Sequence, residues 1–561
     1  MIGSESRAEI RPRAKTLAVC KTTRLVQAFA FLVAICLAAP AYAEAAVNAP
    51  AGRVRGAAAG DVRIYRGLPY ARPPVGDLRW RPPSRLPRWR GVRDATQFGA
   101  ACMQPPSPFF THAAVSEDCL FLNIWAPADA RNAPVLVWIH GGSLINGAGS
   151  EAFYEGARLA QRGVIVVSIN YRLGALGWLA HPALSAESRD NVSGNYGLMD
   201  QIQALRWIRR NIRAFGGDPG NVTIAGQSAG ALSVTLLMAA PAARGLFARA
   251  IAQSAYLITM PELRNSTYAD WPDAEAIGVS FARSLGATDI ADLRAMSAAA
   301  IIEGTGQARY YPLATIDGRT LRGQLVEVFD RGEQARVPML AGFNEGEIRA
   351  LRFLLPPPPA DAAAYIREIR ARYGDLADAF LARYPAETTP ESMLATTRDA
   401  MYGWTAERLA VKQTAIGAPS YLYYFDHGYP AADEQGFHAF HGEEVPYIFG
   451  TTATTPSYFP AVPQTALEQR LSDAMMSYWA TFARDGVPRA RGEEAWRPYD
   501  RDRAYMAFED IPRMRAGPPN NYSINEAVVC RRRAHHIAWH WNVGVIAPVL
   551  PPETSGCPRV D

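Results

Sequence analysis

The stretch Phe215–Gly230, FGGDPGNVTIAGQSAG, constrains the fold more than any other part of the chain. Val222–Ala225 is a short β-branched and apolar run, Gly226–Gly230 fits G-x-S-x-G, and Ala231–Met238 reads as a buried helix. Strand, tight turn and helix in that order hold Ser228 at a strained backbone position. The glycines two residues to either side leave room for the helix to pass close to the strand. The Ser228 hydroxyl is then pushed out where a carbonyl can reach it, the setting a nucleophile requires.

Further apolar runs set the rest of the frame. Val135–Ile139, Val164–Asn170, Ala248–Gln253, Val337–Phe343 and Tyr421–Phe425 read as strands, the first two as buried on both faces, and part of Glu117–Trp125 alternates as a strand does. Between them lie helical patterns. In 200–212, Ile202, Leu205, Ile208 and Ile212 share one face while Arg206, Arg209 and Arg210 point elsewhere. Alternating buried strands and helices predict an α/β fold with a doubly wound, mainly parallel sheet. Residues 54–90, dense in Arg, Pro and Trp, read as an irregular, tightly turned surface layer. Residues 360–415 read as helices capping the carboxyl edge of the sheet, and 466–484 as another amphipathic helix. No internal repeat or linker-like segment appears, so 44–561 is expected to be a single catalytic domain despite a length of 561 residues.

The N-terminus reads as an export signal. Lys15, Lys21 and Arg24 precede the apolar stretch 25–39, too short to span a bilayer, and Ala41-Tyr42-Ala43 offers a cleavage site, so residues 1–43 are taken as a signal peptide. These residues carry +4 of the formal +5 charge, which leaves no nucleic-acid footprint on the remainder. No later run approaches membrane-span length, so no stable membrane insertion is expected after cleavage. Lysine occurs only at Lys15, Lys21 and Lys412, a bias toward arginine that suggests a GC-rich bacterial source. Export places the protein in the periplasm or outside the cell, where the four cysteines beyond the signal can oxidise. Three pairings of Cys102, Cys119, Cys530 and Cys557 are possible, and the local one, Cys102 with Cys119 and Cys530 with Cys557, closes short loops. No C-x-x-C occurs, which argues against a zinc or redox role.

A serine hydroxyl needs a base within hydrogen-bond reach and a third group to orient that base. Of nine histidines, His112, His140 and His181 precede the turn, and His535, His536 and His540 are assigned to a late Arg-rich helix. His427, His438 and His441 follow the strand at 421–425, where a base is expected when the nucleophile comes first in the chain. The residues themselves leave the choice between His438 and His441 open.

With these features in place, the chain resembles the type-B carboxylesterases, the α/β-hydrolase family that includes cholinesterases and bacterial nitrobenzyl esterases. FGGDPGNVTIAGQSAG fits that family's serine signature and EDCLFLNIWAP its second signature, while NYRLGALGWLA, GNYGLMDQ and HGEEVPYIFG match further blocks. The resemblance covers roughly residues 50–545 and implies an α/β-hydrolase fold with helical cap insertions. It places the family's G-x-N-x-x-E on 342–347, making Glu347 the triad acid, and its H-x-x-E on 441–444, making His441 the base. The oxyanion donors map to the amides of Gly142, Ser143 and Ala229, and Cys119 is implied to pair with Cys102. Two positions depart from the pattern: Ile348 stands where the family has Gly, and Ser143 replaces a Gly of the oxyanion loop. Glu345 is a neighbouring carboxylate to Glu347.

The implied activity is hydrolysis of a small-molecule carboxylic ester by water through an acyl-enzyme, with no metal or cofactor required. Cholinesterases hold a quaternary ammonium on a tryptophan in the loop closed by the first disulfide. Between Cys102 and Cys119 this chain has Phe109 and Phe110 but no tryptophan, which argues against choline esters. A lipase, a specialist for bulky natural or polymer esters, an amidase or a transacylase would use the same triad, and a non-catalytic binding protein of this fold is the rival of a different class. Arg309-Tyr310-Tyr311 and Met401-Tyr402-Gly403-Trp404 are candidate pocket walls. Oligomeric state is not legible.

Overall fold

The computed structural model describes residues 46–110, 114–268, 271–517 and 519–560. The predicted signal peptide, with Cys20 and Cys36, and His112 lie outside the described residues.

Eleven strands form the main sheet: β1 (Ala57–Ala59), β2 (Val62–Pro69), β3 (Phe121–Pro127), β4 (Ala133–Ile139), β5 (Ile165–Ile169), β6 (Gly217–Gln227), β7 (Arg249–Gln253), β8 (Met339–Asn344), β9 (Ser420–Phe425), β10 (Tyr505–Phe508) and β11 (Pro512–Arg515). Their order is β11-β10-β9-β8-β7-β6-β4-β5-β3-β2-β1. The run from β10 to β5 is parallel. Antiparallel pairs finish both ends, β10 with β11 on one side and β5-β3-β2-β1 on the other. This is the α/β-hydrolase arrangement of a large, mainly parallel sheet.

Side chains alternate across a strand, and β4 shows the consequence. Val135, Val137 and Ile139 enter one core with the helices α1 (Tyr196–Asn211), α2 (Ala229–Ala239) and α3 (Trp404–Ala415). Leu136 and Trp138 enter the core on the opposite face, packed with α4 (Ala466–Asp485) through Met475 and Trp479. α1 buries the predicted stripe and exposes Arg206, Arg209 and Arg210. α2 is buried on every side, as suits a helix that is apolar all round.

Three readings of the sequence are corrected. Residues 62–69 form a strand paired antiparallel with β3, with a register shift between Tyr65 and Leu68; Arg63 stands between buried Val62 and Ile64, Leu68 is buried beyond the shift, and the irregular layer begins only after Pro69. The segment 404–415 is not cap: α3 lies in the core layer against the sheet, with Leu409 and Ala410 fully buried. The helices Ala362–Tyr373, Ala377–Arg383 and Thr389–Arg398 instead share a separate apolar cluster with the C-terminal segment through Tyr365, Phe380, Ile524 and Val545. Finally, the late helix spans Ser523–Ala534, so His535, His536 and His540 follow it rather than ride on it. The cysteines pair Cys102–Cys119 and Cys530–Cys557, with Cα atoms 4.9 and 5.6 Å apart.

Candidate active site

Ser228 follows the last residue of β6 and begins α2 with φ 59° and ψ −125°. The turn is fixed by what cannot be accommodated around it. A Cβ at Gly226 would meet the Gly230 carbonyl carbon and oxygen at 2.5 Å, and one at Gly230 would sit 2.0 Å from the Ile139 carbonyl oxygen. Its N–H donates to the Gln253 carbonyl at 2.9 Å, tying the turn to β7. A serine at a helix N-cap commonly spends its hydroxyl on a helix amide. Ser228 makes no such bond, so the hydroxyl is left for other work on a half-buried surface.

The loop after β4 lies against this turn. A Cβ at Gly141 would stand 3.2 Å from Ser228 Cβ. Gly142, Ser143 and Leu144 all have left-handed φ, of 97°, 56° and 61°, and Gly142 must be glycine because a Cβ there would lie 2.2 Å from the Asn146 carbonyl oxygen. The N–H groups of Gly142 and Ser143 donate to no described residue. The Ala229 N–H is the first of α2, where helix amides point outward with a partial positive charge. His140, just before the loop, is 1% exposed and stacks on Tyr171 at 4.5 Å.

Glu347 and His441 come from the turns after β8 and β9. A backbone bridge between Gly346 and Phe440 clamps those turns side by side, with Gly346 N–H donating to the Ala439 carbonyl at 2.9 Å. Gly346 again has no room for a Cβ, which would stand 1.7 Å from the His438 carbonyl oxygen. Glu347 is fully buried; one carboxylate oxygen accepts the Asn344 N–H at 2.9 Å and the other accepts from His441 Nδ1. A proton on Nδ1 makes Nε2 the acceptor of the neutral ring. In the structure Nε2 lies 3.2 Å from the Gln227 side-chain nitrogen, and Tyr402 packs on the ring at 5.2 Å between centroids.

The neighbouring acid and histidines have other partners. Glu345 turns away to Arg398 and Arg349, at 2.9 and 3.4 Å. His438 is held between Asp433 and Asp426 at 2.8 and 3.1 Å, and the Asp426 hydrogen bond first, with Asp433 behind it, raises the imidazole pKa to about 9. His427 is buried between Glu468 and Asp510. Glu345, Asp426 and His438 offer ligand atoms within 4.8 Å of one another, the one such cluster among the described residues. Their ion pairs already balance these charges. Ile348, where the family pattern has glycine, is buried beside the acid turn at 1% exposure.

The candidate wall residues divide. Tyr402 sits in a π-helical turn, Asp399–Gly403, and stands with Tyr256 and Trp541 beside His441. Trp404 is core, its indole N–H donating to Glu526 at 2.6 Å. Arg309, Tyr310 and Tyr311 line an apolar cleft of about 800 Å³ together with Ile145, the residue whose N–H closes the 142–145 turn. Gln227, Gln253, Asn344 and Glu444 also touch this centre; Asn344 and Glu444 are fixed positions of the two motifs quoted from the sequence but were given no role there, and Gln227 and Gln253 were assigned none, although each stands at a strand end.

The model of the Carboxylesterase family matches residues 43–523. Fumonisin B1 esterase of Sphingopyxis macrogoltabida is 37% identical over 464 residues, covering 80% of this chain and 84% of that protein. Para-nitrobenzyl esterase of Bacillus subtilis (strain 168) is 35% identical over 457 residues, covering 78% and 89%. A solved PNB esterase structure superposes with a TM-score of 0.72 at 32% identity, covering 84% of this chain and 97% of its own.

Proposed function

Because the chain belongs to the carboxylesterase family and is a serine-dependent carboxylic ester hydrolase, we propose that Ser228 is its nucleophile, His441 the base and Glu347 the acid that orients the base. Gly142, Ser143 and Ala229 supply the amides of the oxyanion hole. The observation that carries this reading is the Glu347–His441 pair beside the Gly226–Gly230 turn, with His441 Nε2 in contact with the side chain of Gln227, the residue before Ser228. As a substrate carbonyl approaches, the Gln227 amide gives up Nε2 and the Ser228 proton takes its place. Oxygen attacks carbon, the imidazolium is balanced by Glu347, and negative charge collects on the carbonyl oxygen facing the loop amides. One such donor is typically worth about 3 kcal/mol of barrier. His441 then protonates the leaving alcohol, and water repeats the sequence on the acyl-enzyme.

The apolar cleft beside the oxyanion loop favours esters with a bulky apolar part over small ones. The two named relatives act on fumonisin B1 and para-nitrobenzyl esters, in line with that preference. The chain is exported after loss of residues 1–43 and acts as one catalytic unit from residue 44. Among the described residues no helix is long and apolar enough to cross a membrane, and both disulfides suit an oxidising compartment. Labelling with a fluorophosphonate tests the triad: modification must fall on Ser228 and vanish in Ser228→Ala, and labelling elsewhere overturns the reading. A p-nitrophenyl ester series from acetyl to palmitoyl then separates an esterase from a lipase.

A further inference from the structure

Glu444 is a buried carboxyl group at this centre that the mechanism does not use. It lies three residues after His441, in the first turn of the helix Glu444–Phe449, and is fully buried. Burial of an acid without a cation is costly unless its oxygens are hydrogen-bonded, and both are. One accepts from the Gln253 side-chain amide at 2.9 Å, the other from the Asn344 side-chain amide at 2.8 Å.

The orientation of both amides is determined by their other partners. The Trp479 indole, a donor only, gives its N–H to Gln253 Oε1 at 3.0 Å, so the Gln253 nitrogen must face Glu444. The Asn344 nitrogen gives its second hydrogen to the Phe440 carbonyl at 2.8 Å. Each amide also belongs to a segment that carries the chemistry. The Gln253 carbonyl accepts the N–H of Ser228, and the Asn344 backbone N–H donates to Glu347. Phe440 precedes His441. A single carboxylate therefore connects the nucleophile turn, the acid turn and the base loop.

We propose that Glu444 is a positioning residue for ester hydrolysis, holding these three segments in register through Gln253 and Asn344 and placing a second negative charge behind the His441 ring. This rests on the triad reading above. The groups facing Glu444 are Glu347 from the turn after β8, His441 and Glu443 from its own loop, and the Tyr423 hydroxyl from β9. Those from β7 and α4 are neutral, an amide and an indole. Burial first and Glu347 second raise the Glu444 pKa to about 7, so its charge changes in the range where a histidine base operates.

Glu444→Gln keeps the shape, removes the charge and turns one amide group toward another donor. The imidazolium formed during catalysis then lacks a neighbouring anion, so the acid limb of the kcat/KM profile is expected to move down by about half a pH unit, with kcat lower by roughly 10- to 100-fold and KM within about twofold. Glu444→Asp keeps the charge but shortens the reach, so kcat falls and the acid limb stays. A purely structural role would lower melting temperature without moving the limb. The proposal is overturned if Glu444→Gln leaves kcat and the limb unchanged, or if both variants move the limb alike. Should the Gln variant not fold, the Asp variant decides: reduced kcat with an unmoved limb supports the proposal, and a moved limb or intact kcat overturns it. Fluorophosphonate labelling run alongside keeps the two readings distinct, because failure to label Ser228 counts against the triad, whereas normal labelling with an indifferent Glu444→Gln counts against Glu444 alone.

Discussion

The turn that carries Ser228 and the loop that carries His441 meet at one site, but they are held there by different forces. Around Ser228 the constraint is excluded volume: Gly226 and Gly230 face backbone atoms at distances no side chain can occupy. Around His441 the constraint is polar, with Glu347 on the ring, Asn344 on both Glu347 and the Phe440 carbonyl, and Glu444 beneath Asn344. Steric constraints of the first kind are local and rigid. Polar ones depend on protonation and on partners far away in the chain, so the base side is where pH and single-atom changes act.

The largest expected effect sharpens the chemistry common to both regions. Ser228→Ala should cut kcat by about 10⁴-fold or more with an unchanged melting temperature, measured on a p-nitrophenyl ester; retained turnover by the homogeneous variant defeats the assignment. Glu347→Gln probes the polar side. With no carboxylate to hold Nδ1–H and balance the imidazolium, kcat should fall by roughly 10³- to 10⁴-fold while the protein stays folded. If Glu345→Gln produces that loss instead, the acid has been misassigned.

Gly230→Ala tests the steric side. The added methyl meets the Ile139 backbone carbonyl oxygen at 2.0 Å, and since a Cβ is fixed by its own backbone, relief requires moving a helix or a strand. A loss of about 3 kcal/mol or more is expected in urea unfolding, and a variant with unchanged stability and activity would show that the turn is softer than described. The smallest effect concerns the neighbouring histidine. The folded His438 pKa is raised, to about 9, so its contribution to stability is fully present below the unfolded value near 6.5 and is lost as pH rises through about 9. His438→Gln should flatten that part of the stability profile and leave kcat within about twofold. A large loss of activity would mean that the base loop depends on His438 as well.

The two regions were also unequally legible. The Ser228 turn could be read because strand, glycines, serine and helix are contiguous, and each residue type answers to a local steric need. The buried strands were readable for the same reason, since Val135–Ile139 and Val164–Asn170 carry their burial in their own composition. Val62–Pro69 escaped because its arginines and the register shift after Tyr65 break the alternation a half-buried strand would show, and only the pairing with β3 reveals it. The segment 404–415 escaped because charged residues such as Arg408 and Glu407 are buried by distant partners, Glu526 and Tyr499 among them.

Read alone, the sequence determined the Gly226–Gly230 turn, the mainly parallel sheet that presents it and the family resemblance from which Glu347 and His441 are proposed. Each of these follows from short-range pattern, in which neighbours along the chain state the requirement. Tertiary structure alone decided that Glu345 and His438 are occupied elsewhere, that Gln227 lies on His441 and that Glu444 reaches Gln253 and Asn344. The Gln227–His441, Gln253–Glu444 and Asn344–Glu444 contacts join segments 100 to 214 residues apart, and a hydrogen bond of a few ångströms leaves no trace in the composition of either segment.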